Sequence, residues 1–260
     1  MSKKDTQMNK IYFIVGAVFL QLNFAKAQYI NDGSAKGFIY NKERGFDLRI
    51  HTARGWNVGY TQGDIKTYFK TTYYKISLGE LRHYKETIKT SDYGGFQPQQ
   101  GFNSYSYGKQ NDCFPVRLSY GIKRYYSEKA SRNGVAIAIN YSGGLTVAIM
   151  KPYYVDINTG REPAISIKYT DATAKTFLDP TQILGESSFF KGFTEVSVIP
   201  GVHTQVGVHL DWGAFDEFLK AVEVGAMLDI FPKKLPIMAN EQNLPYFLNF
   251  YISVQLGVRQ

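Results

Sequence analysis

The sequence predicts an all-β fold, an antiparallel β-barrel crossing a membrane, with eight strands as the first count, ten as the alternative, and long extracellular loops. Three observations predict it. The last stretch, Tyr246 to Gln260, alternates with period two: Leu248, Phe250, Ile252, Val254, Leu256 and Val258 fall on one face, and Asn249, Tyr251, Ser253, Gln255, Gly257 and Arg259 on the other. Such a strand outruns the ordinary globular length and approaches what a tilted strand needs to cross a bilayer. The composition combines 20 Tyr and 18 Phe in 260 residues with a mean hydropathy of −0.27, which suits aromatic girdles at a membrane surface better than a water-soluble core. Past residue 27 no stretch approaches eighteen consecutive apolar residues, so membrane passage falls to strands.

The N-terminus reads as an export signal. Lys3, Lys4 and Lys10 precede the apolar run Ile11 to Leu22, and Ala25-Lys26-Ala27 forms a small-residue cleavage box. The run is too short for a helical anchor, so residues 1–27 are expected to be removed before Gln28. That takes away four lysines and Asp5 and lowers the formal charge from +8 to +5. No Lys/Arg block remains, and nucleic acid is not expected as a partner. Cys113 is the only cysteine, which excludes an internal disulfide.

Taken in order, residues 28–44 are polar and Gly-containing and are expected to form a periplasmic tail; the barrel is assigned to 45–260. Phe46, Leu48 and Ile50 alternate with Asp47, Arg49 and His51, and after the turn Ala53-Arg54-Gly55 the residues Trp56, Val58 and Tyr60 alternate again, giving a hairpin. Gly63-Asp64 reads as the next turn and Lys66 to Leu81 as a long third strand, with Tyr74, Ile76 and Leu78 opposite Tyr73, Lys75 and Ser77. Residues 82–112 form a long polar loop whose composition is not that of a core. Val116, Leu118, Tyr120 and Ile122 mark the fourth strand, opposite Arg117, Ser119 and Lys123. In the fifth, Ile137, Ile139, Tyr141, Leu145, Val147 and Ile149 oppose small residues.

A second insertion spans 151–192, with Ala164 to Tyr169 as a short strand inside it. The sixth strand, Phe193 to Trp212, carries Val202, Val206, Val208 and Leu210 on one face and Glu195, His203, Gln205, His209 and Asp211 on the other; Pro200 is expected to force a bulge or a split. Phe218 to Phe231 is the seventh, with Val222, Val224 and Leu228 opposite Glu223 and Asp229, and Pro232 to Pro245 is a loop leading into the closing strand. With eight strands both termini fall on one side, the long loops (83–112, 151–192, 232–245) gather at the other, and the short turns lie with the termini. Separate membrane strands at 164–169 and 193–199 raise the count to ten.

Short turns on one side and long loops on the other resemble the small outer-membrane β-barrel proteins of Gram-negative bacteria, in a Bacteroidota-like style. The resemblance spans the chain past the signal and concerns architecture; no motif in it fixes an activity. It implies an outer-membrane location and contact with outer-membrane lipid and lipopolysaccharide. It also implies a terminal aromatic, from which the ending Leu256-Gly257-Val258-Arg259-Gln260 departs.

The polar faces define the candidate lumen: Arg49, Lys75, Arg117, Lys123 and Arg259 against Asp47, Glu195, Asp211, Glu223 and Asp229, with His51, His203, His209 and Gln205 among them. An eight-stranded barrel has room only for its own side chains, and buried charge must be paired. A self-neutralised polar core is therefore expected, with Asp47 and Arg259 paired across the seam between first and last strands. No cofactor and no metal site is expected. His203 and His209 lie six residues apart on one strand, about 20 Å, too far to share an ion. In the loops, Tyr93, Phe96, Phe102, Tyr105 and Tyr107 offer an interaction surface, and Lys85, Lys89, Lys109, Lys151, Lys175 and Lys191 offer contacts to anionic lipid.

The leading expectation is thus a non-enzymatic structural or interaction protein, with protein partners in an envelope complex. An outer-leaflet enzyme acting on lipid or peptide, built from His51, His203, Glu195 and Asp229, is the alternative. A narrow channel and a soluble ligand-binding barrel stand behind it.

Overall fold

The computed structural model describes residues 40–90, 104–127, 134–158, 164–213 and 216–260. Eight strands close into a barrel: β1 (Lys42–His51), β2 (Trp56–Thr67), β3 (Lys70–Gly79), β6 (Asn111–Tyr125), β7 (Ala136–Pro152), β11 (Ser197–Asp211), β12 (Phe218–Ile230) and β13 (Tyr246–Arg259). Each pairs antiparallel with its sequence neighbour in the barrel, and β1 closes on β13. The eight-strand count holds and the ten-strand alternative falls, because residues 164–169 belong to a sheet outside the barrel and 193–195 form a 3-10 turn.

Alternation dictates the wall. In β13 every second side chain is exposed and the intervening ones are buried, and the same parity runs through β1, β2 and β3. The outward set is apolar: Phe46, Leu48, Ile76, Leu118, Leu145, Val206, Phe250 and Leu256 are each at least half exposed. A continuous apolar belt on this scale is far beyond the scattered exposure of a soluble monomer. Aromatics edge it, with Phe69, Tyr126, Trp212 and Phe218 near the short turns and Trp56 and Tyr246 near the long loops.

Several boundaries differ from expectation. The first strand starts at Lys42, not 45, which brings Glu43 into the barrel. Gly63-Asp64 is not a turn: β2 runs through it to Thr67, paired with β3 as far as Thr67↔Lys70, and the chain reverses at Tyr68-Phe69. Glycine in a strand signalled a break, but at Gly63 both neighbouring strands are already in register, so the ladder continues. Pro200 neither bulges nor splits β11. It sits opposite Val147 of β7, while pairing with β12 begins only at Val202↔Ile230. On the β12 side Pro200 lies beyond the ladder, where its missing N–H costs nothing.

The loop end carries two further layers. The 231–245 connection does not stand out as a loop; it folds across the barrel mouth and puts Leu235, Ile237 and Met238 against Leu81, Cys113, Met150, Ile199, Phe231 and Phe247. Asn243 fixes the bend, its Oδ1 accepting from the N–H groups of Ile237 and Met238 at 3.0 Å each and its Nδ2 donating to the Met238 carbonyl at 2.8 Å. Asn111 Nδ2 donates to the Pro236 carbonyl at 2.6 Å and ties this roof to β6. Beyond lies a head: a sheet of β8 (Tyr154–Ile157), β9 (Ile165–Lys168) and β10 (Ile183–Glu186), the helical turn α1 (Ala174–Phe177), and the ribbon β4 (Ile88–Thr90) with β5 (Ser104–Ser106). Its core joins Tyr105, Tyr153, Val155, Ile157, Phe177 and Ile183, with Tyr107 packed against it. The described part of the 82–112 connection therefore does supply core residues, contrary to its polar composition.

Candidate functional site

The lumen is built by the inward parity of the eight strands, and its charges meet in three tiers. At the turn end Arg259 Nε donates to Glu43 at 3.1 Å and its Nη2 to Asp211 at 2.5 Å, while Lys123 Nζ donates to the other Glu43 oxygen. Tyr125 adds its hydroxyl to Asp211 at 3.0 Å. In the middle Lys75 Nζ lies 2.7 Å from Asp47, and Arg49 donates to Gln205 at 2.7 Å with its guanidinium 3.9 Å above the Tyr251 ring. Glu223 accepts from Asn140 and Tyr251 at 2.6 Å each, and His209 Nδ1 stands 3.2 Å from it. Toward the loop end Arg117 grips Asp229 through two bonds of 2.8 Å, the planar fork that a guanidinium makes with a carboxylate. His203 Nε2 lies 3.1 Å from Ser119 Oγ, and His51 Nε2 lies 3.1 Å from the Glu80 carbonyl.

Asp47, Arg49, His51, Lys75, Arg117, Lys123, His203, Gln205, His209, Asp211, Glu223, Asp229 and Arg259 are all buried, on the inward faces of the barrel strands. Two assignments are corrected. Glu195 is not a lumen residue: it ends the 3-10 turn Phe193–Glu195 on the head, where it binds Lys168 and, at 3.2 Å, Tyr154. Strand β11 begins only at Ser197, so the parity that placed Glu195 had no strand beneath it. The Asp47–Arg259 pair does not form either. The seam register sets Asp47 opposite Gln255 and Glu43 opposite Arg259, so each takes a nearer partner. Glu43 falls in the stretch assigned to the tail, yet it keeps the parity of Asp47 and Arg49 in a strand that begins at Lys42. It replaces Glu195 in the charge balance.

Among the described residues, little space is left between these charges. The cavity bounded by Asp47, Lys75, Asn140, Glu223 and Ser253 is about 10 Å³, no more than one water occupies. Above it the apolar roof closes the mouth.

A larger space lies outside the lumen, at the loop end of β3. This strand stops at Gly79, and a notch of about 300 Å³ opens between Trp56 on β2 and Phe114 on β6. Its polar wall holds Glu80, Arg82, Glu86, Lys109, Asp112 and Glu186; its apolar wall adds Tyr105, Tyr153 and Phe189. Arg82 binds Glu80 through bonds of 2.8 and 3.0 Å. Lys109 Nζ lies 2.8 Å from Asp112 and 3.2 Å from Glu86, and Lys151 reaches Asp112 at 3.0 Å. Burial opposes the charge on Lys109, but Asp112 and Glu86 outweigh it and raise the ammonium's pKa. The pKa of Glu186 is also raised, by desolvation and then the Asp112 charge, which for a carboxyl disfavours the charged form.

The loop aromatics and lysines divide accordingly. Tyr105 is buried and Tyr107 donates to the Leu178 carbonyl at 2.9 Å, so neither forms an exposed interaction surface; Tyr93, Phe96 and Phe102 lie outside the described residues. Lys109 and Lys151 are buried in the notch cluster and cannot reach anionic lipid, whereas Lys85, Lys89, Lys175 and Lys191 are at the surface. Among the described residues no group of three or more His, Cys, Asp or Glu side chains is placed to hold a metal.

No family model matches the sequence, and no curated protein matches it. Solved structures are similar at low level, two of them as follows. One is the N-terminal β-barrel domain of OprF from Pseudomonas aeruginosa, with 9% identity and a TM-score of 0.35 over 86% of this chain and all of that one. The other is the translocator domain of the autotransporter NalP from Neisseria meningitidis, with 12% identity and a TM-score of 0.18 over 96% of this chain and 99% of that one.

Proposed function

We propose that this protein is an outer-membrane barrel of a Gram-negative bacterium that works through its loop-end head, as a structural or interaction component of the envelope, and not by passing solutes through its lumen. The observation that carries the reading is the filled interior. Arg49, Lys75, Arg117, Lys123 and Arg259 meet Glu43, Asp47, Asp211, Glu223 and Asp229 in buried contacts beneath an apolar roof. Opening a path through them means separating desolvated ion pairs, about 3–5 kcal/mol for each partner left alone. The membrane setting is supported by the apolar belt and its aromatic edges. A closed barrel leaves no unpaired sheet edge facing lipid, which is what a bilayer demands of strands.

Purified protein in a planar bilayer is expected to give no conductance steps above the bare membrane; regular unitary steps overturn the closed-lumen reading. An accessory role predicts a partner retained through extraction in mild detergent, and a strictly monomeric protein with nothing retained argues against it.

One contact favours an enzyme: Ser119 Oγ and His203 Nε2 stand at the separation of a nucleophile and its base. The contact lacks what catalysis needs. Both residues are buried at 6% and 5% exposure, and His203 Nδ1 has no hydrogen-bond partner among the described residues to orient the ring. Glu195 lies on the head, His51 turns its Nε2 to the Glu80 carbonyl, and Asp229, although the cross-strand neighbour of His203, is taken up by Arg117 and makes no hydrogen bond to the ring. The non-enzymatic reading therefore stands as the better supported.

A further inference from the structure

The notch beside β3 has features that neither a closed lumen nor a structural head requires. Its position comes from register. Asn57 pairs with Gly79, and Leu81 bridges to Cys113, so Trp56, Glu80 and Phe114 form one row across three strands with outward parity. Two residues lower, Val58, Leu78 and Val116 form the next outward row, and these belong to the apolar belt. The mouth therefore opens sideways at the upper edge of the belt, between two aromatic side chains, with charged groups behind it. On a membrane barrel that is the level where acyl chains give way to headgroups.

The lining chooses the sign of the ligand. Arg82 and Lys109 line the wall and Lys151 stands behind it on Asp112, and all three are engaged by Glu80, Glu86 and Asp112. Glu186 forms no ion pair within 4.0 Å among the described residues, feels Lys109 and Lys151 only at longer range, and accepts a hydrogen bond from the Tyr153 hydroxyl. Glu86 is 97% buried, with one carboxylate oxygen bonded to Ser106 Oγ and Lys109 and the other unpartnered among the described residues. Carboxylate is still in excess, with Glu80, Glu86, Asp112 and Glu186 against Arg82, Lys109 and Lys151, and the rings already draw cations, Lys151 Nζ lying 4.1 Å from the Phe189 centroid and Lys109 Nζ 5.5 Å from that of Tyr153. An anionic headgroup would have to pull Arg82 or Lys109 from its partners.

We infer that the notch holds the ammonium end of an amphiphile from the adjoining leaflet, beside Glu186, with the apolar chain lying over Val58, Leu78 and Val116. The inference rests on the membrane reading above. The raised pKa of Glu186 fits it, since a cation entering the notch relieves an unpaired, partly desolvated carboxylate.

The sequence holds two tryptophans, Trp56 and Trp212, and Trp212→Phe leaves Trp56 alone at the mouth as a reporter. This variant in phosphatidylcholine nanodiscs is titrated with decylamine, with ethanolamine and with decanoate. A saturable change in Trp56 emission is expected for decylamine, at least about tenfold weaker for ethanolamine and after Glu186→Gln, corresponding to about 1.4 kcal/mol, and absent for decanoate. Repeating the titration with phosphatidylethanolamine in the nanodisc identifies the source: lost response through competition makes the lipid headgroup the occupant, and an unchanged response makes it a free amine amphiphile. A non-saturable response, an equal response to decanoate, or one unaltered by Glu186→Gln overturns the inference. Liposome flotation and heat-modifiable gel migration separate the two failures. A protein that floats without answering decylamine removes this inference alone; one that does not float removes the membrane reading with it.

Discussion

Glu43→Gln is the sharpest perturbation of the closed barrel, because one carboxylate serves two cations across the seam. Glu43 and Lys123 are each 1% exposed, and Arg259 is 4% exposed. Replacing the carboxylate with an amide leaves Arg259 its bond of 2.5 Å to Asp211, but Lys123 has no second carboxylate within 4.0 Å among the described residues. Its nearest compensation is the Tyr73 ring, 5.9 Å from Nζ. The loss is therefore that of a buried pair broken on one side, about 3–5 kcal/mol. Removing both charges, as Glu43→Gln with Lys123→Met, leaves no orphan ion and should recover most of that loss, since apolar replacement of a buried pair is often neutral. Urea titration of the protein refolded into lipid vesicles, followed by tryptophan emission and by gel mobility without boiling, measures both. A single variant within about 1 kcal/mol of the parent, or a double variant no more stable than the single, refutes the reading that pairing in the lumen holds the barrel shut. The charge exchange Asp47→Arg with Arg259→Glu makes a useful contrast: it should not restore stability, because the two positions are not seam partners.

Three further outcomes follow from particular contacts. Gly144→Ala places a methyl 1.9 Å from the Leu118 carbonyl of β6, so the wall must shift and stability should fall by about 1–3 kcal/mol in the same urea assay. Leu235→Ala empties a fully buried position under the roof; a loss of about 2–5 kcal/mol should appear as faster proteolysis of the 231–245 connection, with the barrel strands still protected. Burial and the Asp112 charge raise the pKa of Glu186, so its charged form costs the folded state stability as pH rises through that raised pKa. Glu186→Gln should therefore be at least as stable as the parent at neutral pH, with the difference vanishing in acid where both are uncharged. Decylamine binding to the parent should fall away on acidification sooner than an unperturbed glutamate would allow, which a Trp56 titration across pH would detect.

Sequence determined the wall of this molecule almost completely. A period of two assigns each residue to one face without knowledge of the neighbouring strand, so Asp47, Lys75, Arg117, His209 and Arg259 could be placed inside from the chain alone. What parity cannot supply is a partner. Which carboxylate meets Arg259 depends on the stagger between β1 and β13, and four residues of seam register separate the expected Asp47 from the observed Glu43. Parity also fails once the strand ends, as Glu195 shows, and a proline or glycine reads as a break only until the adjacent ladders are known, as Pro200 and Gly63 show. The roof and the notch were invisible for a different reason. Leu235, Ile237, Tyr105 and Tyr153 sit in segments without periodicity, and their burial exists only because residues distant in sequence come together over the barrel mouth. Local alternation wrote the barrel; register and long-range packing decided which charges pair within it and what closes and flanks its loop end.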